Sequence, residues 1–464
     1  MAKAAQCRSA FRAISQFHEN ERLIAWVQKQ RLIIWLTPAR RRLFLVVGAL
    51  FVGGKGTWSR YTKWVEESGK DWLIPTLAFV MLGAFVYSVY RAAKHYQKLP
   101  GWIKRRPQIS LHIFFWAVFA LLWVIPENAG YFRKVLILFA ISLPVLLWRC
   151  GYMLMSGQRG KAQQTKFRDH LFYLWPVWGG TNTPIGKGHD YLSQREAKTP
   201  ETYARSVLAA TKLIVLAQLL DVFRIILEAI LYGEASNSFS RVFARFDLGM
   251  PHLNDIIRGQ VAAPPWMGWI ALYLELIWET LKHATLGHRW VSLLRLFGFN
   301  VFRNTYKPLL AQSLLDFWNR YYYYFKELLA EFFFFPIYLR YFRNSPKLRI
   351  FTAIFAAAFV GNMYYHFLEG RIAFAKGEFL QTLRVLSPRM IYCALLALGI
   401  YFSMIRQNQR RGKIQHGDPR MERLLTLRRI AGVWTFFAFI NLWNTRVKGS
   451  LGERIEFIFS LFGL

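Results

Sequence analysis

A single histidine, His366, lies near the end of an apolar segment in the second half of the chain. Residues 350–360 are all apolar except Thr352, and no charged residue occurs between Arg349 and His366. Imidazole changes its charge near neutral pH and often acts as a general base. Burial of an imidazole in an apolar setting without a hydrogen-bond partner costs about 1–3 kcal/mol of folding free energy. The pattern indicates either a structural histidine that a neighbouring carbonyl satisfies, or a histidine with a chemical role.

Two other side chains in the stretch 298–366 have types that suit chemistry beside His366. Asn362 precedes the histidine by one helical turn, from where its amide can orient the ring. Tyr322 has a phenolic hydroxyl, which can donate a hydrogen bond to a carbonyl oxygen. A phenol titrates near pH 10, so Tyr322 is expected to assist a reaction rather than to act as its base.

The residues just before Tyr322 favour a structural interpretation. Ser313-x-x-Asp316 ahead of an aromatic run is typical of a helix start, where a serine side chain accepts a backbone hydrogen bond. Trp318 and the following tyrosines are expected to be packing and membrane-interface aromatics. Asn319 and Arg320 complete the polar residues that we expect to support the site or line a tunnel to it, together with Asn362, Asp316 and Trp318.

Two further groups have helical spacing. Asp221, Arg224 and Glu228 lie three and four residues apart, on one face of an apolar helix, and a structural Asp–Arg–Glu pairing is the favoured interpretation. Glu279 and His283 are one turn apart, so the carboxylate can hold the imidazole. A metal site with His288 would lack cysteine and a constrained spacing, and none is expected.

Composition places the 464-residue chain in the membrane class, with 54% hydrophobic and 17% aromatic residues. The net charge of +35 comes mainly from short segments between apolar runs, as in the inner loops of membrane proteins. No basic face carries a groove-reading motif, so nucleic-acid binding is not expected. The three scattered cysteines form no disulfide or zinc pattern, and the N-terminus shows no secretory signal peptide.

The apolar runs predict an all-α polytopic integral membrane protein with about nine to eleven transmembrane or re-entrant helices. Residues 1–42 are a basic N-terminal segment with an amphipathic helix lying on the inner surface, and residues 43–464 form one membrane domain. The basic segments 94–106, 158–168 and 406–429 are expected on the inner side. Spans are predicted at the following residues: 43 to beyond 51, 72–90, 109–125, 135–154, 206–232, 380–407 and 430–443.

Residues 170–188 break this pattern. The apolar part is too short to cross a bilayer, and Pro176, Gly179, Gly180 and Pro184 interrupt any helix. Irregular backbone at membrane depth survives only where protein or water covers it. A re-entrant or interfacial hairpin is therefore favoured over an ordinary surface loop.

The stretch 298–322 resembles the membrane-bound O-acyltransferase family. Bacterial members show a pattern close to GFxxPxNFxxPYxAxSxxDFWRRWH, and this sequence matches it without a gap. The ten identities are Gly298, Phe299, Asn304, Pro308, Ala311, Ser313, Asp316, Phe317, Trp318 and Arg320. Residues 361–367 are similar to the family's GLWHG-like motif with His366 as its histidine, and the 170–188 segment resembles its re-entrant FPxxxxGP segment. Tyr321 and Tyr322 stand where the family has tryptophan and histidine or asparagine.

The resemblance, which covers residues 167–367, implies an acyltransferase. An acyl group would pass from a cytosolic thioester, either acyl-CoA or an acyl-carrier thioester, to a hydroxyl of a glycan or lipid. His366 would be catalytic with Tyr322 assisting, and no bound cofactor or metal would be needed. No GxSxG or Cys–His arrangement competes, which favours direct transfer without an acyl-enzyme.

A second interpretation stays open: a non-catalytic relative that binds or passes a lipid or acyl carrier, in which Tyr322 marks lost chemistry. In either case the expected partners are membrane lipids, an acyl donor and a glycan or lipid acceptor. The expected location is a bacterial inner membrane.

Overall fold

The computed structural model describes residues 16–65, 71–174, 183, 185–410 and 419–464. In these ranges the chain forms helices and no strand, so the all-α prediction is confirmed. The one β-type contact in the described ranges is an isolated antiparallel bridge between Glu196 and Phe299.

The α-helices up to residue 232 are α1 Glu21–Gln28, α2 Arg31–Trp35, α3 Pro38–Trp64, α4 Leu73–Lys94, α5 Gly101–Arg105, α6 Pro107–Val124, α7 Gly130–Ser142, α8 Pro144–Gln158, α9 Arg168–Leu174, α10 His189–Arg195 and α11 Pro200–Tyr232. The later α-helices are α12 Ser238–Ala244, α13 Leu253–Ile257, α14 Pro265–Leu296, α15 Leu314–Tyr321, α16 Tyr323–Leu329, α17 Phe335–Tyr338, α18 Pro346–Ile354, α19 Asn362–Phe367, α20 Arg371–Ala375, α21 Phe379–Arg410, α22 Pro419–Asn441 and α23 Leu451–Ser460. Two π-helical segments are Ala330–Phe334 and Phe355–Gly361, and 3₁₀ turns occur at Phe17–Glu19, Tyr96–Lys98, Ala162–Gln164, Pro308–Leu310 and Leu368–Gly370.

Four stretches of helix in the described ranges are long and apolar enough to cross a bilayer. They are Leu73–Lys94, Pro107–Val124, Pro346–Ala375 and Phe379–Gln407. The bent pair α7 and α8 makes a fifth if it counts as one span. These helices support an integral membrane protein. Of the nine to eleven transmembrane or re-entrant helices that the sequence predicts, the described ranges support four or five.

A proline divides the span that the sequence predicts at 135–154. Pro144 opens α8, and the axes of α7 and α8 differ by 61° at this break. Proline lacks a backbone N–H and its ring clashes with the preceding turn, so it bends or ends a helix. The continuous span predicted here is therefore replaced by two helices.

The first predicted span is also different in the structure. Residues around 43–51 belong to α3, a helix of 27 residues that starts before them and continues well beyond. Arg41, Thr57 and Tyr61 on this helix are buried. This helix carries six cations, Arg40, Arg41, Arg42, Lys55, Arg60 and Lys63, and it is not among the candidate spans. Most of the predicted 170–188 hairpin, namely 175–182 and 184, lies outside the described residues.

The described chain divides into two compact units. Unit 1 comprises Met1–Leu216, His288–Arg303 and Glu369–Phe379, and unit 2 comprises Ala217–Gly287, Asn304–Leu368 and Leu380–Leu464. In unit 1, apolar residues of α1 and α2 form one core cluster with the first part of α11. Ile24, Val27 and Ile33 of the N-terminal segment belong to this cluster, whereas other large apolar residues of the segment are exposed, namely Trp26, Leu32, Ile34 and Trp35.

The core of unit 2 fixes the aromatic segment that the sequence singles out. Phe317 is buried and stacks on Phe437 of α22, with ring centroids 3.8 Å apart. Leu396, Ala397 and Ile400 of α21 belong to the same cluster. Because α15 is packed on α21 and α22 through Phe317, the position of its last residue and of Tyr322 is determined by this core.

The predicted ion pairing on α11 is confirmed within unit 2. Arg224 lies 3.2 Å from Asp221 and 2.8 Å from Glu228. The indole N–H of Trp278 also donates to Glu228. The guanidinium therefore bridges two carboxylates on one helix face, and α14 contributes a further donor.

Candidate functional site

The matched motif begins as a structural element of unit 1. Gly298 has a φ of +86°, a conformation that glycine adopts readily, and its carbonyl accepts a 2.7 Å hydrogen bond from the Ala197 N–H. A Cβ at this glycine would lie 2.0 Å from Nη1 of Arg41. The positive φ and the adjacent Arg41 side chain both favour glycine at this position, which gives a structural reason for the first residue of the motif.

Asn304 holds the backbone around Tyr322 in place. Its carbonyl accepts from the Tyr323 N–H at 2.8 Å, and its Oδ1 accepts from the Tyr324 N–H at 3.2 Å. The hydroxyl of Thr305 donates to the Tyr321 carbonyl at 2.9 Å. Because Asn304 is buried, these hydrogen bonds fix the junction between α15 and α16 from both sides.

The predicted helix start at Ser313 is confirmed. Ser313 is the N-cap of α15, and its hydroxyl accepts from the Asp316 N–H at 3.0 Å. The Asp316 carboxylate then accepts from Nε of Arg320 at 2.7 Å, one turn along the helix. Asp316 and Arg320 therefore organise the short helix that ends at Tyr321.

Tyr322 lies between α15 and α16 and belongs to neither helix. Its backbone angles, φ −144° and ψ 75°, are not helical and separate α15 from α16. Its ring makes edge contacts with His283, at 6.1 Å between centroids, and with Phe325, at 5.9 Å.

His366 also contacts the ring of Phe325. It belongs to α19, directly after the π-helical segment Phe355–Gly361, and its ring centroid is 6.3 Å from that of Phe325. Segments of π-helix are rare and often occur at functional sites. The structure thus brings Tyr322 and His366 to the same aromatic ring, although they are far apart in sequence.

An arginine that sequence reasoning missed contacts His366 directly. Nη1 of Arg389, on α21, lies 2.7 Å from Nε2 of His366. Nη2 of the same guanidinium donates to Oδ1 of Asn444 at 2.7 Å and to Oγ1 of Thr445 at 3.0 Å. A guanidinium can only donate, so a hydrogen bond between these two atoms requires Nε2 of His366 as its acceptor. A cation inside the apolar segment Phe379–Gln407 is a sequence signal for a functional residue, but it does not indicate His366 as the partner.

A second imidazole lies near Tyr322. Nε2 of His283 is 3.3 Å from Oε2 of Glu279, which confirms the predicted contact between these two residues. Glu279 also accepts from Arg446, which follows Asn444 and Thr445 in the chain. One short segment, 444–446, therefore anchors both the arginine at His366 and the carboxylate at His283.

The remaining predicted site residues have different surroundings. Trp318 packs against the unit 2 core and lies 6.3 Å from the Phe325 ring, while Asn319 is exposed. Asn362 is buried one turn before His366, and its amide oxygen has no hydrogen-bond partner in the described part of the chain. The described residues contain no group of three or more His, Cys, Asp or Glu side chains that would hold a metal ion.

No protein-family model matches the chain, and no curated protein matches it.

Proposed function

We propose that the chain is a membrane-bound O-acyltransferase that moves an acyl group from a cytosolic thioester to a hydroxyl of a glycan or lipid. The observation that carries this proposal is the placement of Tyr322 and His366 around Phe325 in unit 2. These two residues occupy the ends of the two segments in which the sequence resembles that family. A phenol and an imidazole at one ring are the donor and the base that acyl transfer requires.

The proposed reaction proceeds by direct attack. The imidazole of His366 takes the proton of the acceptor hydroxyl while the hydroxyl oxygen forms a bond to the thioester carbonyl carbon. Tyr322 donates a hydrogen bond to the carbonyl oxygen as negative charge develops on it. The C–S bond then breaks, and the departing thiolate takes the proton from the imidazolium. The products are the ester and the free thiol.

The contact with Arg389 sets a condition on this mechanism. Nε2 of His366 accepts from Arg389 in the structure, so its lone pair is not available to a substrate proton. The base becomes competent only when Arg389 moves away from Nε2. An arriving thioester donor carries anionic groups in the case of acyl-CoA, and a guanidinium binds such groups readily. Donor binding is therefore proposed to free the imidazole.

The same contact favours a second candidate, a non-catalytic protein that binds or passes a lipid or acyl carrier. If Arg389 stays on Nε2, His366 is a structural residue that links α19 to α21. The two candidates differ in whether the protein consumes a thioester.

The proposal also includes an architecture, an acyl donor and a location. The architecture is polytopic, like that of the acyltransferase family. The donor is acyl-CoA or an acyl-carrier thioester, and the location is a bacterial inner membrane. The candidate spans and the basic segments between apolar runs support the membrane architecture, and the donor and the location rest on the family resemblance.

Comparative mass spectrometry of envelope glycans and lipids tests the proposal. Cells with the gene, cells without it and cells complemented with His366→Ala are compared at equal protein levels. An enzyme adds an acyl mass to a product only in the first sample. Identical profiles in all three would favour the non-catalytic candidate.

A further inference from the structure

Two helical segments of unit 2 form a hairpin whose limbs are in close contact away from the connecting turn. Residues 323–338 run along one limb and residues 346–367 along the other, with a turn at 339–345. A Cβ at Gly361 would lie 2.6 Å from Cδ2 of Phe333 and 3.0 Å from Cδ2 of Leu329. The limbs therefore approach each other as closely as a glycine allows at this point.

Towards the turn the limbs leave an open groove of about 310 Å³ between them. Its walls include Ile337 on the first limb and Phe351, Phe355, Ala356 and Val360 on the second. Thr352 also lines the groove, but its hydroxyl donates to the Leu348 carbonyl at 2.9 Å. Tyr341 and Phe342 complete the lining, so the groove is apolar apart from the hydroxyls of Thr352 and Tyr341.

The turn at the open end, residues 339–345, is basic. Arg340, Arg343 and, just after it, Lys347 are exposed, and the sequence has no Asp or Glu between Glu331 and Glu369. Arg349 fixes the turn, because its Nε donates to the Tyr338 carbonyl at 2.5 Å and its guanidinium lies 4.0 Å from the centre of the Tyr338 ring. The exposed cations are thus held at the mouth of an apolar groove.

We propose that this groove and turn bind one anionic phospholipid of the surrounding membrane. One acyl chain lies in the groove along Phe351 and Phe355, and the phosphate lies among Arg340, Arg343 and Lys347. The groove borders the candidate span Pro346–Ala375, so an acyl chain can reach it from the bilayer. Positively charged segments beside spans face the inner leaflet, where anionic lipids attract them. The inference does not depend on the proposed acyl transfer.

A competition experiment with the purified full-length chain tests the site. The protein is mixed with equal amounts of dioleoyl-phosphatidylglycerol and dioleoyl-phosphatidylcholine, and native mass spectrometry measures the bound ratio. The wild type is expected to retain the anionic lipid on the order of tenfold more than the neutral one. The triple variant Arg340→Gln, Arg343→Gln, Lys347→Gln is expected to bind both equally.

The control variant Arg423→Gln, Arg428→Gln, Arg429→Gln removes three exposed cations of α22 and should keep the wild-type ratio. Ala356→Trp fills the groove and should lose both lipids while keeping the wild-type melting temperature. A wild type without preference, or a control that loses the preference equally, would overturn the proposal. So would a folded Ala356→Trp protein that binds the anionic lipid as the wild type does. If Ala356→Trp does not fold, the comparison of the Arg340, Arg343 and Lys347 triple variant with the control variant tests the proposal.

Discussion

Arg389 donates a hydrogen bond to Nε2 of His366 across 2.7 Å. The donor is itself held by the side chains of Asn444 and Thr445, so the histidine is connected to the segment that also anchors Glu279. This relationship joins parts of unit 2 that are distant in sequence. It explains how an imidazole is accommodated at the end of an apolar helix, since its acceptor nitrogen is satisfied.

Replacing Arg389 with glutamine is expected to lower acyl-transfer activity about tenfold or more, because both the orientation of His366 and the proposed donor contact are lost. The control is Arg384→Gln, an exposed arginine on the same helix. Product formation at saturating and limiting donor separates turnover from binding. Wild-type kinetics in Arg389→Gln would contradict a role for this arginine at the site.

Arg224 is expected to be needed only while its carboxylate partners are present. Arg224→Leu leaves two half-buried carboxylates, Asp221 and Glu228, close together without their cation, and their mutual repulsion is expected to lower stability. The triple variant Asp221→Asn, Arg224→Leu, Glu228→Gln removes all three charges and should be the more stable protein. Melting temperatures in one detergent compare them, and equal values would refute the pairing as a source of stability.

Tyr322→Phe removes one hydroxyl and keeps the ring contacts with His283 and Phe325. Loss of a single oxyanion donor is expected to slow turnover by a factor on the order of ten to a thousand. Tyr323→Phe, at the neighbouring position, provides the matched control. A loss as complete as that of a His366 variant would show that the roles of the two residues are assigned wrongly.

Topology can be tested with single cysteines in a protein without its native ones. Lys98→Cys and Arg423→Cys lie in segments whose Lys and Arg content predicts the inner side, whereas Glu127→Cys lies in a weakly charged turn. All three positions are exposed. A membrane-impermeant thiol reagent added to intact cells should label only Glu127→Cys. Labelling of Lys98→Cys or Arg423→Cys would reverse the predicted orientation.

The sequence predicts the uninterrupted apolar helices well, but the spans predicted at 206–232 and 430–443 lie in α11 and α22, which are not among the candidate spans. Predicted spans at 72–90 and 109–125 correspond to Leu73–Lys94 and Pro107–Val124, because an uninterrupted apolar run determines both length and helix type. A proline in an apolar run, by comparison, does not show whether the helix breaks there. Pro144 divides one predicted span, while Pro388 lies inside the continuous helix α21. Which outcome occurs depends on tertiary contacts that a local pattern does not contain.

The candidate site shows the same division. The helix cap at Ser313 and the Glu279–His283 contact follow from spacing along one helix, and both were predicted. The contact of Arg389 with His366 joins two helices, so no local spacing indicates it. The positions of the π-helical segments were likewise not visible in the sequence, since the residues Phe355–Gly361 suit an ordinary α-helix.

The most direct test of the account is the rate of product formation by the purified His366→Ala variant. Wild type and variant are compared in the same detergent at matched monodispersity, with the donor and acceptor that the envelope comparison identifies. Loss of a general base typically lowers a rate by about 10²–10⁴-fold, and a folded variant should show such a loss. Wild-type rates in a well-folded His366→Ala protein would contradict catalysis by this histidine.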